Sequence, residues 1–413
     1  MRKMKDSRIP WVGLIPEHWE MVRVKNIFNN HKNIVGEKES EFERLALTLN
    51  GVIKRDKNDS KGLQSENLST YQILNEKELV FKMIDLANVN TSRVGYSPYT
   101  GIVSPVYIIL NNDDYSKYGY YYFYSMWQRE IFNNLGNDGV RSALNASDMM
   151  NLPFPNISVQ EAKTIANFLD VKIKEIDIAV EKTKETIEDY KKLKQSMITE
   201  SVLRGLKENK LVNKKINNTD VDIPVNWDIK KIKFCTKVRN EKYNIQYGNM
   251  NYFALENIIS GTGLFVETEN IYDLDGSIIC ERGDVVFGKL RPYLAKVYKS
   301  PIRQCCSSEF AVFYDFEGVN DYYKYLFLSH WFVNIVDSST YGTKMPRANI
   351  DFINNIFIPL PPIKEQKEIV NYLDYKCSEI DNLIKSKEKI VEELENYKKS
   401  VIYEYVTGKK EVK

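Results

Sequence analysis

A stretch of about 27 residues occurs twice in this chain, half a molecule apart. Phe154–Val180 reads FPNISVQEAKTIANFLDVKIKEIDIAV, and Ile358–Ile384 reads IPLPPIKEQKEIVNYLDYKCSEIDNLI. Asn167-Phe168-Leu169-Asp170 matches Asn371-Tyr372-Leu373-Asp374, and Glu175-Ile176-Asp177 matches Glu379-Ile380-Asp381, at a constant separation of about 204 residues. The repeat extends outward from there. IPEHWEMVRVKNIF (Ile15–Phe28) returns as IPVNWDIKKIKFCT (Ile223–Thr236), keeping Ile-Pro-x-x-Trp followed by an acidic residue. ELVFKMIDL (Glu78–Leu86) parallels DVVFGKLRP (Asp284–Pro292). GIVSPVYIIL (Gly101–Leu110) parallels CCSSEFAVFY (Cys305–Tyr314), with Ser104 opposite Ser308. A period this long signals a duplicated domain rather than a solenoid. The chain must therefore fold as two similar units.

Each unit is a variable block followed by a helix. Within the blocks, short apolar runs such as GIVSPVYIIL, DVVFGKL and EFAVFY are broken by Gly, Asn, Asp and Pro, which predicts strands. DYYKYLFLSHWFVNIV (Asp321–Val336) reads as buried helix, so each block is a mixed α+β globule. Ser158-Val159-Gln160-Glu161 has the form of a capping box, in which the Ser accepts a backbone N–H and the Glu reaches back. Its counterpart starts with Pro361-Pro362, tolerated in a first turn where the missing N–H costs nothing. Leu169, Ile173, Ile176, Val180, Thr183, Ile187 and Tyr190 then recur at steps of four and three. Leu373, Cys377, Ile380, Ile384, Lys387, Val391 and Leu394 repeat that spacing in the second half. Both series are coiled-coil seams, and Gly205 and Gly408 stand where the helices should end.

The fold class expected is thus α+β: two tandem pseudo-symmetric globules, each followed by a long helix, the helices pairing as an antiparallel coiled coil. The expected divisions are 1–157 for the first globule, 158–206 for its helix, 207–360 for the second globule, 361–408 for its helix, and 409–413 for a basic tail. The matched polar positions Thr183 and Lys387 would fix the register at some cost in stability. Two helices each packed only on its own globule remain the alternative.

Composition narrows the chemistry. With 413 residues, 28% charged and 43% hydrophobic, the chain can bury sizeable cores. No apolar run approaches a membrane span, and the start, MRKMKDSRIPWVG, has no apolar stretch suited to secretion, so a cytoplasmic location is expected. Five cysteines without a C-x-x-C pair, and three histidines (His18, His31 and His330) away from ligand spacing, suggest neither a disulfide framework nor a metal site. The net charge is only +2, with the helical stretches slightly acidic and the positive charge elsewhere. That is weak support for contact with a polyanion.

The Ile-Pro-x-x-Trp opening of each half, the serine strand, the return YGTKMPRANIDFINNIFIPLPPIKEQ (Tyr341–Gln366) and the helix that follows resemble the specificity subunit of type I restriction–modification systems. The likeness covers essentially the whole chain. The first half departs from the pattern, having no double proline and Glu161-Ala162 where the second has Glu365-Gln366. The resemblance implies a non-catalytic subunit whose two globules are target-recognition domains, each reading one half of a split, asymmetric site on double-stranded DNA. It implies that the helices set the spacer and dock two modification subunits, adenine methyltransferases that use S-adenosylmethionine. Restriction subunits, users of ATP and magnesium, would join through those, leaving this chain without a cofactor or a membrane partner. Leu169 to Tyr190 would span about 33 Å of helix, close to one turn of DNA.

Base-reading residues should be cations, amides or tyrosines on loops of the variable blocks. Lys54, Arg55 and Lys57 lie in the basic turn VIKRDKNDSK, and Lys289, Arg291 and Tyr293 interleave in KLRPYLAK. Arg141 in NDGVRS, and Lys344 and Arg347 in GTKMPRAN, follow glycine-containing turns at equivalent places. Lys82 and Arg93 complete the set, while Trp11, Trp19 and Trp227 read as core anchors. No methyltransferase loop, glycine-rich cofactor fingerprint or Walker loop is visible. Glu161-Ala162-Lys163 and Glu365-Gln366-Lys367 have the E-x-K shape of some nucleases, but a first-turn Glu is explained by capping and the helix dipole. A stand-alone two-module nuclease and a coiled-coil scaffold without nucleic acid are the rival classes.

Overall fold

The computed structural model describes residues 2–412 except 57–66, 87–91, 136–142, 208–209, 245–246, 249, 269–273 and 341–344. The chain forms two compact units, Met1–Lys182 with Ile390–Lys413, and Thr183–Lys389. In the first, one sheet runs in the order Gly51–Arg55, Arg44–Thr48, Gly101–Val103, Gln72–Leu74, and a second in the order Asn29–His31, Ile108–Asn111, Leu79–Phe81, Val94–Tyr96. The helix α1 (Ser116–Gln128) buries Tyr118, Tyr122 and Phe123 in the core. Phe28, Phe123, Tyr122 and Phe154 pack edge-on or tilted with centroids 5.1–6.3 Å apart, each such pair worth about 0.5–1.5 kcal/mol beyond its buried area. A short α2 (Ala146–Asn151) leads to α3 (Val159–Arg204).

The second unit repeats this plan. Lys237–Arg239, Phe310–Tyr314, Val285–Gly288 and Val297–Lys299 form one sheet, and Tyr252–Phe253, Gln304–Cys306 and Ile278–Cys280 the other. In both units one strand pair is parallel, Arg44 facing Ile102 and Tyr252 facing Cys305. The Asp321–Val336 stretch is helical and mostly buried, but it is two helices, α4 (Asn320–Leu328) and α5 (His330–Ser338). Ser329 breaks them by capping α5, its hydroxyl accepting from Phe332 N. A short α6 (Ile350–Asn355) precedes α7 (Ile363–Val406).

The ladders correct the sequence alignment by one residue. Ile109 pairs with Val80, and Val312 with Val286. Tyr107 N donates to Ser104 O, and Phe310 N to Ser307 O. Ser104 therefore corresponds to Ser307, not Ser308, and Val106 to Glu309. Two adjacent serines hide such a slip in the sequence, whereas a strand cannot move by one residue without turning its buried face to water.

Each unit holds an antiparallel pair of helical segments. In the first, Lys398 Nζ meets Asp177 at 2.6 Å and the rings of Phe168 and Tyr405 stand 4.4 Å apart. In the second, Lys194 Nζ meets Asp381 at 2.7 Å. The two ion pairs are the same pair, moved by the repeat. Leu169, Ile173, Ile176, Ile187, Leu373, Ile380 and Val391 of the seams are buried, and Val180, Tyr190, Ile384 and Leu394 are partly so.

The joint between globule and helix is also duplicated. Trp19 Nε1 donates to Glu161 at 3.1 Å, and Trp227 Nε1 to Glu365 at 2.9 Å. Ser158 Oγ accepts from Glu161 N, the serine half of the capping box, while the Glu161 carboxylate is taken by Trp19 and Arg2. Tyr121 and Tyr325 donate to Asp170 and Asp374 on α3 and α7. Tyr118 donates to Val406 O and Tyr322 to Val202 O, satisfying last-turn carbonyls that a helix leaves open.

Candidate nucleic-acid interface

The exposed tip of each globule is built from two segments far apart in sequence. In the first, the chain leaving Leu79–Phe81 runs beside the segment before α2, with Leu144 N donating to Met83 O at 2.9 Å. Asn145 then caps α2 through a complete capping box with Asp148. In the second, Ala348 N donates to Lys289 O and Arg291 N to Pro346 O, both at 2.8 Å, and Leu290 bridges Arg347. Asn349 caps α6 from the same turn. Asp85 and Arg291 occupy the same place in the left-handed region, with φ of 54° and 50°, so the two tips share a backbone while reversing a charge on it.

This geometry gathers Lys289, Arg291 and Arg347 into one patch of the second globule. Arg291 is exposed. Arg347 is exposed too, with Nη2 2.6 Å from Glu309 Oε1. Lys289 is half-buried, and burial, then the nearby Arg347, push its pKa below the ordinary lysine value. Tyr293 is exposed but faces elsewhere: it lines a cavity of about 810 Å³ together with Gln195, His330 and Ile384. Lys344 lies outside the described residues.

The first globule distributes its candidates differently. Lys54 is exposed, pairs with Glu43 at 2.9 Å and sits 5.3 Å from the Tyr99 ring centroid. Arg55 is half-buried at the end of its strand, and Lys57 and Arg141 lie outside the described residues. Lys82 is half-buried, its pKa lowered by burial and then by Arg93. Arg93 itself is corrected. It is 1% exposed, and its guanidinium donates to the carbonyl oxygens of Lys82, Ile84 and Asp85. Buried and spent on three backbone carbonyls, its charge serves the fold. Beside the tip is a cavity of about 460 Å³ walled by Asn30, His31, Ile84, Val106 and Asn145. His31 Nε2 meets the buried Glu78 at 2.8 Å.

Sequence reasoning missed Glu309, because the slipped alignment set it opposite Pro105 instead of Val106. It also missed the pairs Lys194–Asp381 and Lys398–Asp177, which become visible only once the antiparallel register is known. Among the described residues, no cluster of His, Cys, Asp or Glu could hold a metal ion. Trp11 is half-buried, whereas Trp19 and Trp227 are core residues.

Residues 209–396 match the family described as Type I restriction modification DNA specificity domain. The chain is 26% identical to the type I restriction enzyme MjaVIII specificity subunit of Methanocaldococcus jannaschii, over 97% of this chain and 94% of that one. It is 24% identical to the type I restriction enzyme EcoDI specificity subunit of Escherichia coli, over 45% and 43% of the two chains. Its fold resembles that of a chain solved in work on assembly and conformational transition of the type I R-M system, with TM-score 0.72, 14% identity, and 95% and 98% covered. It also resembles the HsdS subunit of Thermoanaerobacter tengcongensis, with TM-score 0.53, 14% identity and the same coverage. The tandem globules, their repeated helical joints and these likenesses make the chain similar, in sequence and in fold, to the specificity subunits of type I restriction–modification systems.

Proposed function

We propose that the chain reads a bipartite, asymmetric sequence on double-stranded DNA, one half-site per globule, and docks two modification subunits through its helices. DNA recognition is the general function of the family, whose specificity subunits are non-catalytic. One observation supports the finer reading above the others. The two globules share strand order and helical joints, yet carry different side chains at their tips, as two readers of different half-sites would.

Docking of two partners is supported by repeated apolar residues on the outer faces of the helices. Val171 and Tyr375 are 62% and 68% exposed, and Leu193 and Tyr397 are 54% and 47% exposed. Each pair is related by the repeat, and exposed apolar groups at matched places suit two copies of one partner. S-adenosylmethionine would belong to the modification subunits, and ATP and magnesium to restriction subunits joined through them. No described helix is long and apolar enough to cross a membrane, and a complex that acts on DNA would work in the cytoplasm. The nuclease rival loses its candidate carboxylates, since Glu161 and Glu365 hold the indoles of Trp19 and Trp227.

A base-resolution map of adenine methylation, in cells with and without this gene, tests the reading. Loss of one split motif, two short half-sites around a fixed gap, is expected. An unchanged map in cells that also express its modification subunit would overturn it.

A further inference from the structure

The geometry points to Arg347, held by Glu309, as the residue with which the second globule selects a guanine in its half-site. This rests on the DNA-reading function proposed above and adds one residue and one base to it.

Arg347 is mounted rigidly. Its main chain bridges Leu290, the neighbouring Ala348 N–H donates to Lys289 O, and Arg291 N–H donates to Pro346 O. Two residues on, Asn349 caps α6. Glu309 is equally fixed: Lys289 N donates to its carbonyl at 2.8 Å, its own N–H donates to Ser307 Oγ, and Phe310 beside it is fully buried. The Arg347 side chain is 55% exposed and that of Glu309 only 27%. The carboxylate thus lies deeper and holds the guanidinium from behind at 2.6 Å.

A guanidinium has five N–H donors in a planar fork. One spent on Glu309 leaves the others to pair with two acceptors side by side. In the major groove guanine offers O6 and N7, whereas adenine replaces one acceptor with its N6 amine. A free arginine loses side-chain freedom when it binds, and one already held has less to lose.

The carboxylate also argues against a phosphate contact. An anion within hydrogen-bond reach of the guanidinium repels a phosphate, and it cancels the charge that such a contact uses. A neutral base edge carries no such penalty. Arg291, exposed on the same patch, is the better phosphate ligand. The first globule has Val106 and Ala143 at the matching places, so the cation and its carboxylate are absent there together.

The test uses the full chain assembled with its modification subunits and a DNA library randomised across the second half-site. Arg347→Ala should relax selection at one base pair by about 10- to 100-fold, leaving the first half-site and the salt dependence of binding unchanged. Arg347→Lys keeps the charge but loses the fork, and should relax selection almost as far. Glu309→Ala should weaken selection at that same base pair while steepening the salt dependence by about one unit of slope. A merely structural Glu309 would not produce that second change. The inference is overturned if Arg347→Ala weakens all sequences equally with a shallower salt slope, if Arg347→Lys restores full selection, or if no position changes. If the unmodified complex selects no split sequence at all, the DNA-reading function falls first and the inference with it.

Discussion

Trp19 and Trp227 donate to a glutamate in the first turn of the helix that follows each globule, and Tyr121 and Tyr325 donate to aspartates farther along. At the tips, by contrast, Val106 and Ala143 of one globule stand where the other has Glu309 and Arg347. The Trp–Glu and Tyr–Asp bonds of the joint are duplicated, and the exposed tip is not. Physical cost accounts for the difference. An indole N–H or a helix-end carbonyl buried without a partner costs about 1–3 kcal/mol, so a joint of linked polar groups is hard to alter one residue at a time. A solvated tip side chain can change at little cost to stability.

The largest effect should come from emptying the joint. Trp19 is fully buried and Trp227 nearly so, and replacing either with Ala should cost about 3–5 kcal/mol. The urea midpoint of the full chain, with hydrogen exchange to locate the loss, checks this. Comparable losses in each unit would sharpen the equivalence of the joints. A silent Trp19→Ala beside a damaging Trp227→Ala would break it, and would assign the anchoring of α3 to the Arg2–Glu161 pair instead.

The repeat can also be tested where it is only nearly symmetric. Lys194–Asp381 and Lys398–Asp177 have almost the same length, 2.7 and 2.6 Å, but not the same burial. The Lys194 side chain is 7% exposed against 21% for Lys398, and Asp381 35% against 55% for Asp177. If burial decides the worth of an ion pair, Lys194→Met should cost about 1–3 kcal/mol by leaving a partly desolvated carboxylate unpaired. Lys398→Met should cost under about 1 kcal/mol, as exposed pairs do. Equal losses, measured by denaturation of the two variants side by side, would mean that register and not burial sets their value.

Much of this frame was legible because it rests on periodicity. The repeat, the strand-rich blocks, the helix seams and the stops at Gly205 and Gly408 all follow from local patterns, and both glycines adopt positive φ. What escaped depends on contacts between distant residues. The charged pairs across the seam, Lys194–Asp381 and Lys398–Asp177, join residues whose partners follow only from the helix register. Arg93 looked like a surface cation because charge usually is, and only the fold brings it to the carbonyls of Lys82, Ile84 and Asp85. Glu309 needed the strand ladder, since no sequence pattern separates Ser307 from Ser308.

The smallest effect on stability, and the most informative one for specificity, should come from moving a tip. Val106 and Ala143 are exposed, and their partners in the fold, Glu309 and Arg347, need only an open surface and the two-segment backbone that both globules share. Val106→Glu with Ala143→Arg should therefore change stability by less than about 0.5 kcal/mol. In the assembled complex the pair should introduce a guanine preference into the first half-site and leave the second untouched, as read by methylation of a randomised library. Asp85 is the natural obstacle, because its carboxylate occupies the place of Arg291 and would compete for the new guanidinium. Adding Asp85→Arg should strengthen overall binding and steepen its salt dependence by about one unit of slope, without moving the preferred base. A transplanted pair that leaves the first half-site unchanged, with or without Asp85→Arg, would show that the tips are not interchangeable readers on a common backbone.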